Sequence, residues 1–305
     1  GAAWPKMRRA MESAGLLTVS QSYKAGGVRP KCKTYTLTAS LAGPTKAVSQ
    51  TWRPLRQVAK TRLAVTIAAL SVAEAYVWQC VQRLTLAPGW QDDASLSDDA
   101  RGGLSRIDAK EWFCVKDRNG RLHHNLSNLS KSARPYLRLD GQILVGNDFS
   151  ALHPNLILSM TPAGEEREKL AEWLAGDFYS RLAGTACPKA RKTAKREFNA
   201  AVNDTLAHEH RYPIFAAFAS EFPQATATVR QLKTEDHRRA ACVLQRLESE
   251  LIFAEVVAAC EKRGIPVLSL HDAIFSAPGD AETVRAEMVS AARRRLGIAI
   301  GAKAA

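Results

Sequence analysis

The chain has 305 residues, 46% of them apolar, and a formal net charge of +13 at pH 7. Such a composition supplies a sizeable core for a soluble globular protein and, at about 150 residues per domain, room for roughly two domains. Six scattered cysteines (Cys32, Cys80, Cys114, Cys187, Cys242 and Cys260), with no CxxC pair, argue against a disulfide scaffold or a thiolate zinc site. No uncharged run approaches the ~20 residues of a membrane span, and no signal-peptide pattern opens the chain, so a reducing, cytoplasmic setting is expected.

The charge is concentrated at the start, where residues 1–60 carry eleven Lys or Arg against the one acid Glu12. Further basic clusters are "PKARKTAKR" at 188–196 and "RRR" at 293–295. A polyanion is the natural partner, with nucleic acid favoured over membrane because no amphipathic anchor or lipidation signal accompanies the charge. The first elements predicted are a short helix, "WPKMRRAMESAG", and strands "LLTVSQSY" and "CKTYTLT" around the basic turn "KAGGVRPK". This resembles the last helix and wing of a winged-helix domain, which would carry Lys24, Arg29, Lys31 and Lys33 toward a phosphate backbone. An ordinary basic β-hairpin is the alternative. Either way a basic element is expected over residues 1–45.

Residues 53–85 form a helical pattern of one or two helices, and Pro88 to Gly103 is dominated by loop chemistry, with Pro-Gly, Gly-Gly and two Asp-Asp pairs. A small helical, thumb-like region with its linker is therefore assigned to 46–110, ahead of a catalytic domain over 111–305. From 136 onward, "YLRL" and "ILVGNDF" flank an Asp-Gly dipeptide, a strong hairpin signal. Helices are predicted at about 165–184, 189–206, 213–230 and 235–263, then a strand "IPVLSL", a strand "AIFSA" after His271-Asp272, and a helix from Ala281 to Leu296. The fold class expected is α+β, with a sheet assembled from strands distant in sequence.

Two of those strands end in carboxylates. In "LVGNDFSALHPNLIL" an apolar run leads into Asp148, and in "LHDAIFSA" another leads into Asp272. Alone, the first segment reads equally as a strand-to-helix turn capped by Asp148 or Ser150. Brought together, the two carboxylates make a site for hard divalent cations such as Mg²⁺ or Mn²⁺. Between them, "PKARKTAKREFNAAVND" puts Arg191 and Lys195 four residues apart on one helix face, suited to a triphosphate, with Phe198 further along that face to cover a base; a solvated basic helix is the alternative. His123, His124, His208 and His210 lack metal-site spacing.

Acid at a strand end, a helix with Arg, three residues and Lys, then His-Asp after a strand: this order resembles motifs A, B and C of the family A DNA polymerases and the related single-subunit RNA polymerases. The likeness covers about residues 136–290 and is strongest at "DFSALHP", "RKTAK" and "LHDAI". "DFSALHP" and "KREFNAA" also resemble segments of family B polymerases, but family B would show Asp-Thr-Asp in place of "LHDAI". The segments "HHNLSNLSKSARPYL", "GDFYSRL" and "LQRLESELI" further resemble a bacterial group met in mobile-element contexts, which implies no function of its own.

The family A resemblance implies a right-hand palm with helical fingers and two-metal phosphoryl transfer from a dNTP to a primer 3′-hydroxyl. Asp148, Asp272 and the carbonyl of Phe149 would hold two Mg²⁺ ions. Lys195 would act with them, and Arg191, Lys195, Phe198, Asn199 and His153 would bind the nucleotide, His153 at the place that screens the sugar 2′-position. His271, Gln245, Glu248 and Asn203 would face primer and template, although Asn203 stands where the family has tyrosine. No exonuclease region precedes the palm, so a compact DNA polymerase without proofreading is expected. The expected partners are DNA (primer-template or single strand), nucleoside triphosphates and a replication protein, with no membrane. Alternatives are a primase or RNA polymerase-like enzyme, a catalytically inactive DNA-binding regulator, and a metal-dependent nuclease.

Overall fold

The computed structural model describes residues 61–304 in full, the backbone of residues 53–60, Ser13, and the backbone of two strands, β1 (Leu17–Ser20) and β2 (Thr34–Leu37). The chain divides into two compact units, residues 1–56 and 57–305. In the first, β1 and β2 pair antiparallel with Leu17 opposite Leu37. The turn residues Lys24, Arg29, Lys31 and Lys33 lie outside the described residues, as does the predicted opening helix apart from Ser13.

The helical pattern after residue 53 resolves into α1 (Arg53–Ala68) and α2 (Val72–Gln82). The second begins at a reciprocal cap in which Glu74 N donates to Ser71 Oγ and Ser71 N to Glu74 Oε2, satisfying two otherwise orphaned donors. The stretch expected to be loop contains α3 (Asp98–Asp108), capped by Ser97 and opened by Asp98 and Asp99, whose charges suit a helix N-terminus. Gly103 sits where an added Cβ would lie 2.7 Å from Leu129 Cδ1, so this glycine permits close packing of the helix.

Two small sheets precede the site. β3 (Leu84–Leu86), β6 (Leu137–Leu139) and β7 (Gln142–Ile143) form one, and β4 (Cys114–Lys116) and β5 (Leu122–His124) form a separate hairpin. Asp140 and Gly141 both have positive φ, the geometry of a two-residue hairpin turn between β6 and β7. The chain then changes sheets after Ile143. β8 (Val145–Phe149) joins a four-stranded antiparallel sheet of order β11-β8-β10-β9, with β9 at Leu268–Leu270, β10 at Ala273–Ser276 and β11 at Ala302–Ala304.

The helices between β8 and β9 are α4 (Leu152–Met160), α5 (Glu165–Ala175), α6 (Phe178–Leu182), α7 (Pro188–Asn203), α8 (Pro213–Glu221), α9 (Pro223–Lys233) and α10 (Arg239–Glu250). α10 continues through a π-helical stretch, Leu251–Val257, into α11 (Ala258–Lys262). The final helix, α12 (Ala281–Leu296), covers one face of the four-stranded sheet. Asn147 marks that face, its Nδ2 donating to the Ala281 carbonyl at 2.8 Å. Because side chains alternate along a strand, Asp148 stands on the other face.

Candidate active site

Register sets the site. Asp148 lies opposite Ala273 on β10 and Lys303 on β11. The Leu270–Ala273 pairing leaves His271-Asp272 as a two-residue turn, and Phe149 N donates to the Asp272 carbonyl at 3.2 Å. The two aspartates therefore meet side by side at neighbouring strand ends. Non-glycine residues in left-handed backbone flank both: Ala151 at φ +46° and His271 at φ +55°. Such conformations cost of order 1–3 kcal/mol and persist where the surrounding structure holds them. Ala151, not Asp148 or Ser150, occupies the N-cap of α4, so neither side chain spends its oxygens capping a helix. Asn155 secures the turn through bonds from Nδ2 to the carbonyls of Ser150 and Ala151, each 3.1 Å.

Asp148 is electrostatically frustrated. Its Oδ1 is buried without a hydrogen-bond partner. Burial first, then repulsion from Asp272, lifts its carboxyl to about 7, against the opposing pull of Lys195 and Lys303. A buried oxygen without a partner beside a second carboxylate is the donor arrangement a hard cation relieves. Among the described residues no group of three or more His, Cys, Asp and Glu side chains assembles for a metal. Two carboxylates still fit Mg²⁺, which takes one or two from protein and completes its shell with water and substrate oxygens.

Two cavities adjoin the pair, one lined by Asp272 alone of the two and the other by both. The smaller, about 240 Å³, is lined by Asp272, Lys195, Asn199, His153, Glu248, Arg121, Tyr179 and His271. The larger, about 690 Å³, runs across the open sheet face past Asp148, Asp272, His271 and Phe275, with Lys131 and Arg134 on its wall. The Arg134 guanidinium lies 5.9 Å from the centroid of the Phe275 ring.

The expected nucleotide-binding residues separate. Lys195 and Asn199 enter the small cavity, but Arg191 pairs its Nε with both oxygens of Asp177 at 2.9 Å and lies 6.0 Å from the Tyr179 ring centroid. Phe198 is not available to a base. It is fully buried among Phe178, Tyr179, Phe215 and Phe218, because α6 and α8 flank α7 and edge-on aromatic packing encloses the ring. Asn203 is exposed and turns back to its own helix, Nδ2 donating to the Asn199 carbonyl at 2.6 Å.

Glu248 is also held inside the protein, at the wall of the small cavity. At 2% exposure it accepts from Arg121 Nε and Nη2, each at 2.8 Å, and from His153 Nε2 at 3.1 Å. A buried carboxylate beside a phosphate backbone would be repelled, whereas the Arg121 guanidinium and the His153 N–H together satisfy it. Burial pushes its pKa up, but the bonds from His153 and Arg121 more than reverse this and leave it below the ordinary range. Gln245 Oε1 accepts from Asn119 Nδ2 at 2.7 Å, tying α10 to the β4–β5 turn.

Arg121, Tyr179, Arg134 and Lys303 were missed as site residues from the sequence. Arg121 had an available signal: Asn119-Gly120 marks a hairpin, with Gly120 at φ +86°, and Arg121 leads into its return strand. Tyr179 carried none, since its place depends on α7 packing on α6.

No helix among the described residues is long and apolar enough to cross a membrane. No family model matches the chain, and no curated protein matches it. Among solved structures it is similar to the POL domain of Pol1 from M. smegmatis in complex with DNA primer-template and dNTP, at 13% identity and a TM-score of 0.47, over 83% of this chain and 65% of that chain. The chain thus spans less than two thirds of that chain's length.

Proposed function

We propose that the chain is a template-directed nucleotidyltransferase, a compact DNA polymerase that transfers a nucleotide from a dNTP to a primer 3′-hydroxyl. The observation that carries this reading is the adjacency of Asp148 and Asp272, one with a buried unpartnered oxygen, beside a cavity containing Lys195. Their order along the chain, and its resemblance to polymerase motifs A, B and C, gives that geometry its chemical sense.

Asp148, Asp272 and the Phe149 carbonyl would hold the divalent cations, Mg²⁺ or Mn²⁺, which when bound would activate the primer hydroxyl and neutralise charge on the phosphates. Lys195 stabilises negative charge on the triphosphate and is placed to give a proton to leaving pyrophosphate. Arg191 is exchangeable: its pair with Asp177 is more than a third exposed on both sides, so it is worth about 1 kcal/mol or less and yields to a triphosphate. His153 walls the sugar. The primer end lies along the open sheet face, where Lys131 and Arg134 meet its phosphates and Phe275 supplies an apolar floor. The N-terminal basic element adds sequence-independent affinity for DNA.

The deciding experiment is extension of a labelled primer on a DNA template with Mg²⁺, comparing dNTPs with NTPs, with and without primer. Wild type should extend with dNTPs, and Asp148→Asn or Asp272→Asn should abolish extension while leaving the circular dichroism spectrum unchanged. Full activity in both variants, or no synthesis by wild type under any condition, overturns the reading. Independently of activity, Mg²⁺ should raise the melting temperature of wild type and not of the Asp148→Asn, Asp272→Asn double variant.

A further inference from the structure

We propose that Glu248 sets the sugar selectivity of this site by pinning His153 as a fixed wall. The proposal rests on the polymerase reading and deepens it.

Three distant elements meet at one carboxylate: Arg121 leading into β5, His153 in the first turn of α4, and Glu248 near the end of α10. All three line the small cavity with Lys195 and Asn199. The fork of Arg121 engages both oxygens of Glu248 and so fixes the plane of the carboxylate. The fixed Oε2 then receives His153 Nε2. Among the described residues the imidazole has no other hydrogen-bond partner, and its side chain is 22% exposed, so without Glu248 it can swing outward.

Rigidity matters because ribose differs from deoxyribose by one hydroxyl. A pocket that merely surrounds its ligand rejects an added hydroxyl by about a hundredfold at most, and a wall that rotates aside gives up most of that. Discrimination against the larger sugar is a built-in clash, and a clash persists only where the clashing group is held. The carboxylate is chemically required. A glutamine at the same place presents an NH₂ to one arm of the Arg121 fork, so it cannot accept both arms and the plane that aims the oxygen at His153 is no longer fixed. Glu248 is thus a positioning residue, acting on sugar choice through His153.

The test is single-nucleotide incorporation on a primer-template, reading the ratio of kcat/KM for a dNTP to that for the matching NTP. Glu248→Gln and His153→Leu should each lower the ratio by about tenfold or more, and the double variant should lower it no further, since both remove the same constraint. His153→Gln, whose amide can donate to Glu248, should keep most of the ratio. Leucine is close to histidine in size but cannot bond, so an unchanged ratio in His153→Leu overturns the proposal even if Glu248→Gln fails to fold. Additive losses in the double variant also overturn it. Templated synthesis by wild type without sugar preference defeats this proposal alone, whereas absence of synthesis defeats the polymerase reading beneath it.

Discussion

His124 shows how one side chain ties stability to acidity. Its ring is completely buried against the Ser269 backbone. Burial, opposed by the bond to the Ser269 backbone and reinforced by repulsion from His123 and His271, lowers its pKa to about 4. The folded protein therefore keeps the imidazole neutral, while the unfolded chain takes up a proton near the ordinary value of about 6.5. This contribution is fully present above 6.5 and is lost as pH falls through 4, a swing of about 3 kcal/mol. Urea unfolding at pH 7 and pH 4.5 should show that loss in wild type, and a visibly smaller one in His124→Phe. A similar residue-by-residue logic governed what the sequence could disclose. Asp148 and Asp272 were legible because a carboxylate at the tip of an apolar strand is conspicuous without knowing its partner. The contacts of Glu248 were not legible, because they come from Arg121 and His153, which are remote from it in the chain.

Among elements, α7 divides its labour between faces. Phe198 anchors it in the aromatic core, while Lys195 and Asn199 enter the small cavity. Phe198→Ala should cost about 3–5 kcal/mol in denaturant unfolding, as expected for a large ring deleted from a close-packed interior. Lys195→Ala should cost about 0.5 kcal/mol or less and yet abolish primer extension. Equal destabilisation by the two substitutions would contradict this division. Helical periodicity placed Phe198 on the face of Arg191, but it carries no information about the aromatics that α6 and α8 bring over that face. Element boundaries failed for related reasons. The span 165–184 breaks at Gly176-Asp177 and the span 213–230 at Phe222-Pro223, whereas 235–263 runs nearly unbroken because a π-helical stretch absorbs the irregularity. The Asp140-Gly141 turn was readable from its dipeptide. That β8 leaves β7 for another sheet was not, since strand pairing across long separations leaves no local pattern.

For the whole molecule, charge and topology make separate statements. The net charge of +13, weighted toward residues 1–60, predicts DNA binding that weakens steeply with salt. Changing Lys24, Arg29, Lys31 and Lys33 together to Gln should flatten the slope of log K against log salt by up to about 3 to 4, as fluorescence anisotropy would measure. An unchanged slope would remove the N-terminal hairpin from the interface. Topology bears on time. β8, which carries Asp148, is paired on both sides by strands from the far end of the chain, β10 and β11, and Asp272 arrives only with the turn before β10. As a ribosome delivers the chain from its N-terminus, the basic region and the Lys195 helix emerge while Asp148 still sits on an open strand edge. Under the polymerase reading, a nascent chain halted before β10 would lack the second carboxylate, so the paired-aspartate site would form only once β10 had emerged and joined β8.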